Sequence, residues 1–223
     1  MKKAIIIVFL VLVADQVLKI WIKIHMTLGQ EIPVLGNWFI LHFTENEGMA
    51  FGITFGGETG KLILSIFRII AVIIIGFYIY RLRQRSPHPG LVVSFALIMA
   101  GALGNIIDSA FYSLIFSKSS YHTVAMIFPP EGGYASFLHG KVVDMLYFPV
   151  IDTILPEWVP FRGGERFIFF RPVFNIADAS ISSGVFLLLI FQKKFFAKHK
   201  KQEEKLPEET AAVEGSKGEE ELN

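Results

Sequence analysis

Phe174-Asn175-Ile176-Ala177-Asp178-Ala179-Ser180-Ile181-Ser182-Ser183-Gly184 opens an apolar run, Val185 to Phe191, that ends in Lys193-Lys194. The run reads as a membrane-length helix with a carboxylate near its start. That placement is expensive: an Asp at mid-helix costs roughly 2.5–3.5 kcal/mol on the insertion scale, and less near the interface. Two readings offset the cost. Asp178 is either an acid at a helix N-terminus, held by free N–H groups and the helix dipole, or one half of a catalytic carboxylate pair. In the second reading the other half lies elsewhere in the chain.

The surrounding sequence shares this character. Of its 223 residues, 52% are hydrophobic and 22 are Phe. Mean hydropathy is +0.51. The apolar residues come in blocks, which places the chain among polytopic membrane proteins. A net charge of +1 gives no basic field for nucleic acid, so no nucleic-acid partner is expected. The chain has no Cys, which excludes disulfides, a thiol nucleophile and Cys-ligated zinc. The six His are scattered and no His-Glu-x-x-His occurs. No metal and no cofactor are expected, with only a site assembled from distant Asp and His left open.

Four spans emerge, over 4–25, 61–81, 90–110 and 172–192. Met1-Lys2-Lys3 before Ala4 to Ala14 has the basic start and apolar core of a signal peptide. Apolar character resumes after Asp15-Gln16, however, and the whole run reaches the roughly 20 residues that span a bilayer. It reads as a retained first helix. Asp15 and Lys19 sit four apart and share a face. In the second helix, which Thr59 caps, Arg68 reads as the partner of an acid on another helix. In the third, Gly101 and Gly104 permit close helix approach, and Asn105 and Asp108 point the same way. The segment 26–60 holds an aromatic, β-branched run, Trp38 to Thr44, and predicts a small hairpin or sheet at the membrane surface. In the long segment 111–171, Ile151 to Phe161 predicts a short external helix lying at the interface. Residues 1–200 read as one integral membrane domain, and 201–223 as a disordered charged tail.

Lys2, Lys3, Arg81, Arg83, Arg85, Lys193, Lys194, Lys198, Lys200 and Lys201 flank one side of this arrangement. Excess Lys and Arg mark the cytoplasmic side, so both termini are expected there and 26–60 and 111–171 outside. Asp15, Asn105, Asp108, Asn175 and Asp178 then share one layer near the outer face. Independent helix caps have no reason to meet at one depth, which favours the catalytic reading of Asp178.

Asp144 and Asp108 are the candidate partners; Asp152 reads as ordinary surface. Two carboxylates brought close in a partly dry site do not both ionise easily. Such a pair suits hydrolysis without a covalent intermediate, one carboxylate activating water and the other, protonated, supporting the oxyanion. Ser182-Ser183-Gly184 lacks the glycine two before the serine that a Gly-x-Ser-Gly protease shows. A transporter using the same acids would place them near the midplane and show internal repeats, and none is visible. A lipid-binding scaffold leaves the shared layer unexplained.

Five blocks in order carry a resemblance. They are Asp15-Gln16-x-x-Lys19, Asn46-x-Gly48-x-Ala50-Phe51-Gly52, Gly101-Ala102-x-Gly104-Asn105-x-x-Asp108, Val142-Val143-Asp144, and Phe174-Asn175-x-Ala177-Asp178 with Ile181 and Gly184. The chain resembles lipoprotein signal peptidase (signal peptidase II), the aspartic endopeptidase of the bacterial cytoplasmic membrane. The resemblance implies a mainly α membrane fold of four transmembrane helices with a small external β-cradle and a short external helix. It implies Asp144 and Asp178 as the catalytic pair, with Asp15, Lys19, Asn46, Gly48, Asn105, Asp108 and Asn175 lining and supporting the site near the external, periplasmic face. It implies a diacylglyceryl-modified prolipoprotein substrate, cut before the lipidated cysteine, with membrane lipids around a monomer. Two departures stand out. Ser109 occupies the position where the family usually has Arg, and Arg68 or Arg171 is the expected substitute. The parts 114–140 and 148–170 are extra; the first is expected to cover the cradle and the second to touch the membrane.

Overall fold

The computed structural model describes residues 2–47, 57–82, 84 and 87–195. Gly48, Ala50, Phe51 and Gly52 of the second block, Arg83, Arg85, the lysines from Lys198 on and the tail 201–223 lie outside the described residues. Among the described residues four helices are long and apolar enough to cross a membrane: α1 (Lys2–His25), α2 (Thr59–Leu82, its first turn starting at Gly57), α3 (Pro89–Ile115) and α4 (Ile176–Phe195). Their apolar residues point outward as well as inward. Phe9, Ile63, Phe67, Ile73, Phe77, Phe186 and Leu189 are all exposed on the isolated chain, the pattern of helices whose outer solvent is lipid.

The described residues also form six strands: β1 (Glu31–Leu35), β2 (Phe39–Asn46), β3 (Val142–Tyr147), β4 (Ile151–Ile154), β5 (Arg166–Phe169) and β6 (Val173–Phe174). One antiparallel sheet has the order β1-β2-β3-β6, and β4 pairs with β5 alone. The main core lies where this sheet meets the bundle. Ile22 of α1, Met26 just after it, Phe43 of β2, Val143 and Met145 of β3, Tyr112 in the last part of α3 and Phe116 just after it form one buried cluster. The sheet is thus fixed to the helix ends by apolar packing, not by loops alone.

Glycine sets the helix spacing. A Cβ on Gly101 would fall 2.1 Å from the Ala177 carbonyl oxygen, and one on Gly184 would fall 2.6 Å from that of Ser94. α3 and α4 therefore touch backbone to backbone. Near its end, before a last helical turn, Ser113–Ile115, α3 contains a π turn, Asp108–Tyr112. Such a turn inserts an extra residue into the helical register and commonly marks functional sites.

Three expectations change. α4 starts at Ile176 and not at 172, because Val173 and Phe174 pair with β3 and Asn175 caps the helix. α3 runs on to Ile115, five residues beyond its expected end at 110. The short external helix expected at Ile151 to Phe161 is instead strand β4 and the turn after it. Ile151-Asp152-Thr153-Ile154 is β-branched at three of its four positions and pairs with Arg166–Phe169, while Pro156 and Pro160 break any helix that follows. The segment after α3 folds back on the end of α1 and the turn that follows it: Leu28 N–H donates to Ser120 O at 2.8 Å and Ala125 N–H to Lys23 O at 3.3 Å.

Candidate active site

The first turn of α4 is built around Asn175. Its Oδ1 accepts the Asp178 N–H at 2.8 Å, the N-cap bond that satisfies one orphan donor of the helix. The next orphan, Ala177 N–H, donates to Asp15 Oδ1 of α1 at 2.9 Å. Asp178 thus sits in the first turn, where the helix dipole favours negative charge. Its Oδ1 accepts from Asn105 Nδ2 of α3 at 2.9 Å.

β3 brings in the second carboxylate. β3 and β6 pair through Leu146 with Phe174 and Tyr147 with Val173, so the residue after β6 lies beside Asp144. Asn175 Nδ2 donates to Asp144 Oδ1 at 2.6 Å, and Asn46 Nδ2 of β2 donates to Asp144 Oδ2 at 3.2 Å. Asp144 is 3% exposed. Burial, and then the charge of Asp178, push its carboxyl up to about 7, against the downward pull of Asn46 and Asn175. A carboxyl placed there holds or releases a proton near neutral pH.

A second layer supports these groups from α1 and α3. Lys19, fully buried, reaches Asp108 at 2.8 Å, Asp15 at 2.9 Å and Asn105 Oδ1 at 3.0 Å. One cation between two buried carboxylates keeps the cluster near charge balance. Gln16 Nε2 donates to Asp108 Oδ1 at 2.9 Å and Asp15 Oδ2 at 3.1 Å, and Tyr112 OH donates to Gln16 Oε1 at 3.2 Å. The other Asp108 oxygen accepts Val143 N–H at 3.3 Å, next to Asp144. Asn105 takes its orientation from this layer and passes it to Asp178.

The sequence-predicted residues Asp15, Lys19, Asn46, Asn105, Asp108, Asn175, Asp144 and Asp178 are therefore brought into one network. The cation expected to replace the arginine missing at Ser109 is found within α1: Lys19 is the group on Asp108. Arg171 is exposed on the far surface, beside a cleft lined by Glu31, His42 and Tyr147, and so is not that substitute. Arg68 is half-buried, and its strongest charge interaction is with Asp178, followed by Asp108 and Asp144. Ser109 itself turns inward, its hydroxyl donating to Asn105 O at 2.9 Å. Asp152 is paired with Arg166 on the outer hairpin, away from the carboxylate cluster.

Two groups escaped the sequence reading. Gln16 and Tyr112 wire Asp15 to Asp108. Gln16 stood in the quoted α1 block, but Tyr112 gave no signal. Lys23 is fully buried and pairs with Glu45, with Ser119 Oγ accepting from its ammonium at 2.9 Å and the Phe116 and Tyr134 rings 5.5 and 5.2 Å away. The spacing Asp15, Lys19, Lys23 was the available clue, since a polar residue at every fourth position marks one inward stripe.

A family model described as signal peptidase (SPase) II matches residues 7–194. A lipoprotein signal peptidase of Porphyromonas gingivalis is 52% identical over 187 residues, which cover 82% of this chain and 79% of that protein. One from Amoebophilus asiaticus is 41% identical over 187 residues, covering 82% of this chain and 75% of its own. A solved structure, described as a bacterial membrane enzyme determined by the in meso method at 2.3 Å resolution, superposes with a TM-score of 0.57 at 26% identity, covering 87% of this chain and 89% of that one.

Proposed function

Because this chain belongs to the signal peptidase II family, we propose that Asp144 and Asp178 are the catalytic pair with which it cuts its substrates. The chain is a multi-pass bacterial membrane protein and an aspartic endopeptidase that removes signal peptides from prolipoproteins. The finer substrate is a prolipoprotein carrying diacylglyceryl on the cysteine that follows the cut.

The observation that carries the assignment is Asn175. One side chain donates to the Asp144 carboxyl at 2.6 Å and accepts the Asp178 amide at 2.8 Å, so the two acids are held in one rigid frame. Asp178, in the first turn of α4, is the ionised member and Asp144 the proton carrier. Asp178 removes a proton from a water whose oxygen attacks the scissile carbonyl carbon. Asp144 donates its proton to the developing oxyanion. Collapse of the tetrahedral species breaks the C–N bond, and the amine leaves with the proton that Asp178 accepted. Water is consumed, one new acid and one new amine form, and both carboxyls regain their starting states once Asp144 is reprotonated from the collapsing hydroxyl.

Residues 1–200 act as one membrane domain. Both termini lie on the cytoplasmic side, as the basic residues at the ends of α1 and α4 favour. The pair then works near the external face, in a monomer surrounded by lipid.

The test is cleavage of purified, lipid-modified preprolipoprotein by the full chain in detergent or lipid. Asp144→Asn and Asp178→Asn each abolish cleavage while thermal unfolding and elution remain those of a folded protein. Full activity in either variant overturns the pair.

A further inference from the structure

The β4–β5 hairpin is joined to the strands that frame the site. The chain leaves β3 at Tyr147, three residues after Asp144, and returns in β6, which ends one residue before Asn175. β4 is exposed at all four positions, and Val150, Ile151, Ile154 and Phe169 present apolar side chains with nothing over them among the described residues. A two-stranded hairpin alone is marginal in water. This one is further separated from the sheet by a cleft of about 730 Å³.

We propose that the hairpin is a lipid-surface anchor whose tip, Trp158 and Phe161, inserts into the bilayer leaflet on the sheet side of the protein. The tip has the chemistry of an interfacial segment. Trp158 is 81% exposed and Phe161 fully exposed, and large aromatic rings concentrate at membrane interfaces. Phe161 also has φ +67°, a left-handed conformation that a bulky side chain rarely adopts. Folding alone gives no reason to accept that conformation merely to hold a phenyl ring in water.

Position supports the same occupant. Ile176, the first residue of the fourth span, follows β6 by only two residues. Phe170 meets Phe174 edge-on at 6.1 Å, so the base of the hairpin lies at the depth where α4 enters the bilayer. Four-residue strands carry the tip roughly 13 Å from that base, within reach of the same surface. The charges select the apolar boundary, not anionic headgroups. Arg166 is matched by Asp152 at 2.7 and 2.5 Å, and Arg162 by Glu165 at 3.6 Å; with Arg171 and Glu157 the segment 150–171 has three arginines and three acids, so it carries no net positive charge to draw a phosphate. An anchored tip also restrains β3 and β6, the strands next to Asp144 and Asn175.

The chain has three Trp, so Trp21→Phe with Trp38→Phe leaves Trp158 as the sole emitter. The full chain is reconstituted in phosphatidylcholine bilayers brominated on the acyl chains. The expected result is blue-shifted emission that loses most of its intensity relative to unbrominated lipid, equally with and without added anionic lipid. Red, water-like emission that iodide quenches overturns the anchor. Blue-shifted emission that brominated lipid leaves intact also overturns it, since that denotes cover by protein. A second readout uses the absence of Cys: a spin label on Phe161→Cys collides more with membrane-soluble oxygen than with an aqueous nickel chelate, and the reverse order overturns the proposal. Neither readout depends on peptidase activity.

Discussion

Asn175 Nδ2 lies 2.6 Å from Asp144 Oδ1, while the same side chain caps α4 through the Asp178 amide. One amide therefore sets the position of two carboxyls on different elements. Asn175→Ala removes the cap, which costs about 1 kcal/mol of stability, and also removes a donor that holds the Asp144 pKa down. Cleavage falls at least tenfold, and the residual activity has its alkaline limb shifted to higher pH. Asn175→Asp keeps an acceptor for the cap but places a third carboxylate against Asp144, so it is more stable than the alanine variant and less active. A pH–rate profile beside a melting curve separates the two effects.

The pH dependence of the wild type follows from Asp144. Burial and Asp178 raise it to about 7, so it is protonated below that value and ionised above. If Asp144 is the acid, kcat/KM falls as pH rises through about 7. Stability moves in the same direction. A carboxyl whose folded pKa exceeds its unfolded value of about 3.9 contributes fully below that unfolded value. The contribution declines between roughly 4 and 7 and is lost above. Asp144→Asn cannot ionise and escapes this loss. Its melting temperature relative to wild type is therefore higher at pH 8 than at pH 5, and a constant difference across that range contradicts the assignment.

Lys19 offers a separate test of the supporting layer. It is fully buried and serves Asp15, Asp108 and Asn105 at once. Lys19→Met leaves two buried carboxylates without their cation, a change that costs about 3–5 kcal/mol when one partner of a buried pair is removed. Adding Asp108→Asn to Lys19→Met removes one stranded charge and restores part of the loss. Thermal unfolding of the two variants in the same detergent decides this; a double variant less stable than Lys19→Met shows that charge balance is not what Lys19 supplies.

How far these relationships were legible in the sequence depends on the distance between partners. Asp15 with Lys19 was readable because four-residue spacing fixes a helix face. The layer holding Asn105, Asp108, Asn175 and Asp178 was readable because span length and basic flanks set depth. The third partner of Lys19 was not: Asp108 is far along the chain, so the missing cation beside Ser109 suggested Arg68 or Arg171 instead of a lysine already assigned to Asp15. Lys23 with Glu45 and Ser119 was hidden for the same reason, its partners lying 22 and 96 residues away. The β4–β5 hairpin reads as a helix because four β-branched or polar residues carry too little periodicity, and their partner strand comes only after an eleven-residue gap bearing Pro156 and Pro160.

Gly101 tests whether the contact of α3 with α4 is what positions Asp178. A Cβ there falls 2.1 Å from the Ala177 carbonyl oxygen, and also 2.7 Å from Ile181 Cγ1. The first neighbour is backbone and cannot rotate away. Gly101→Ala therefore moves the start of α4 as a unit, with a cost at or above the upper end of the roughly 1–3 kcal/mol usual for overpacking. Ala177 N–H leaves Asp15 and Asp178 leaves Asn105, so activity falls more than stability does. Gly76→Ala is the control. Its Cβ meets only the Met99 sulfur at an ordinary 3.8 Å, and replacing a mid-helix glycine gains roughly 0.5–1 kcal/mol. It leaves cleavage unchanged and raises or preserves the melting temperature. Comparable cleavage by the two variants in the same bilayers would mean that the close α3–α4 approach does not hold Asp178 in place.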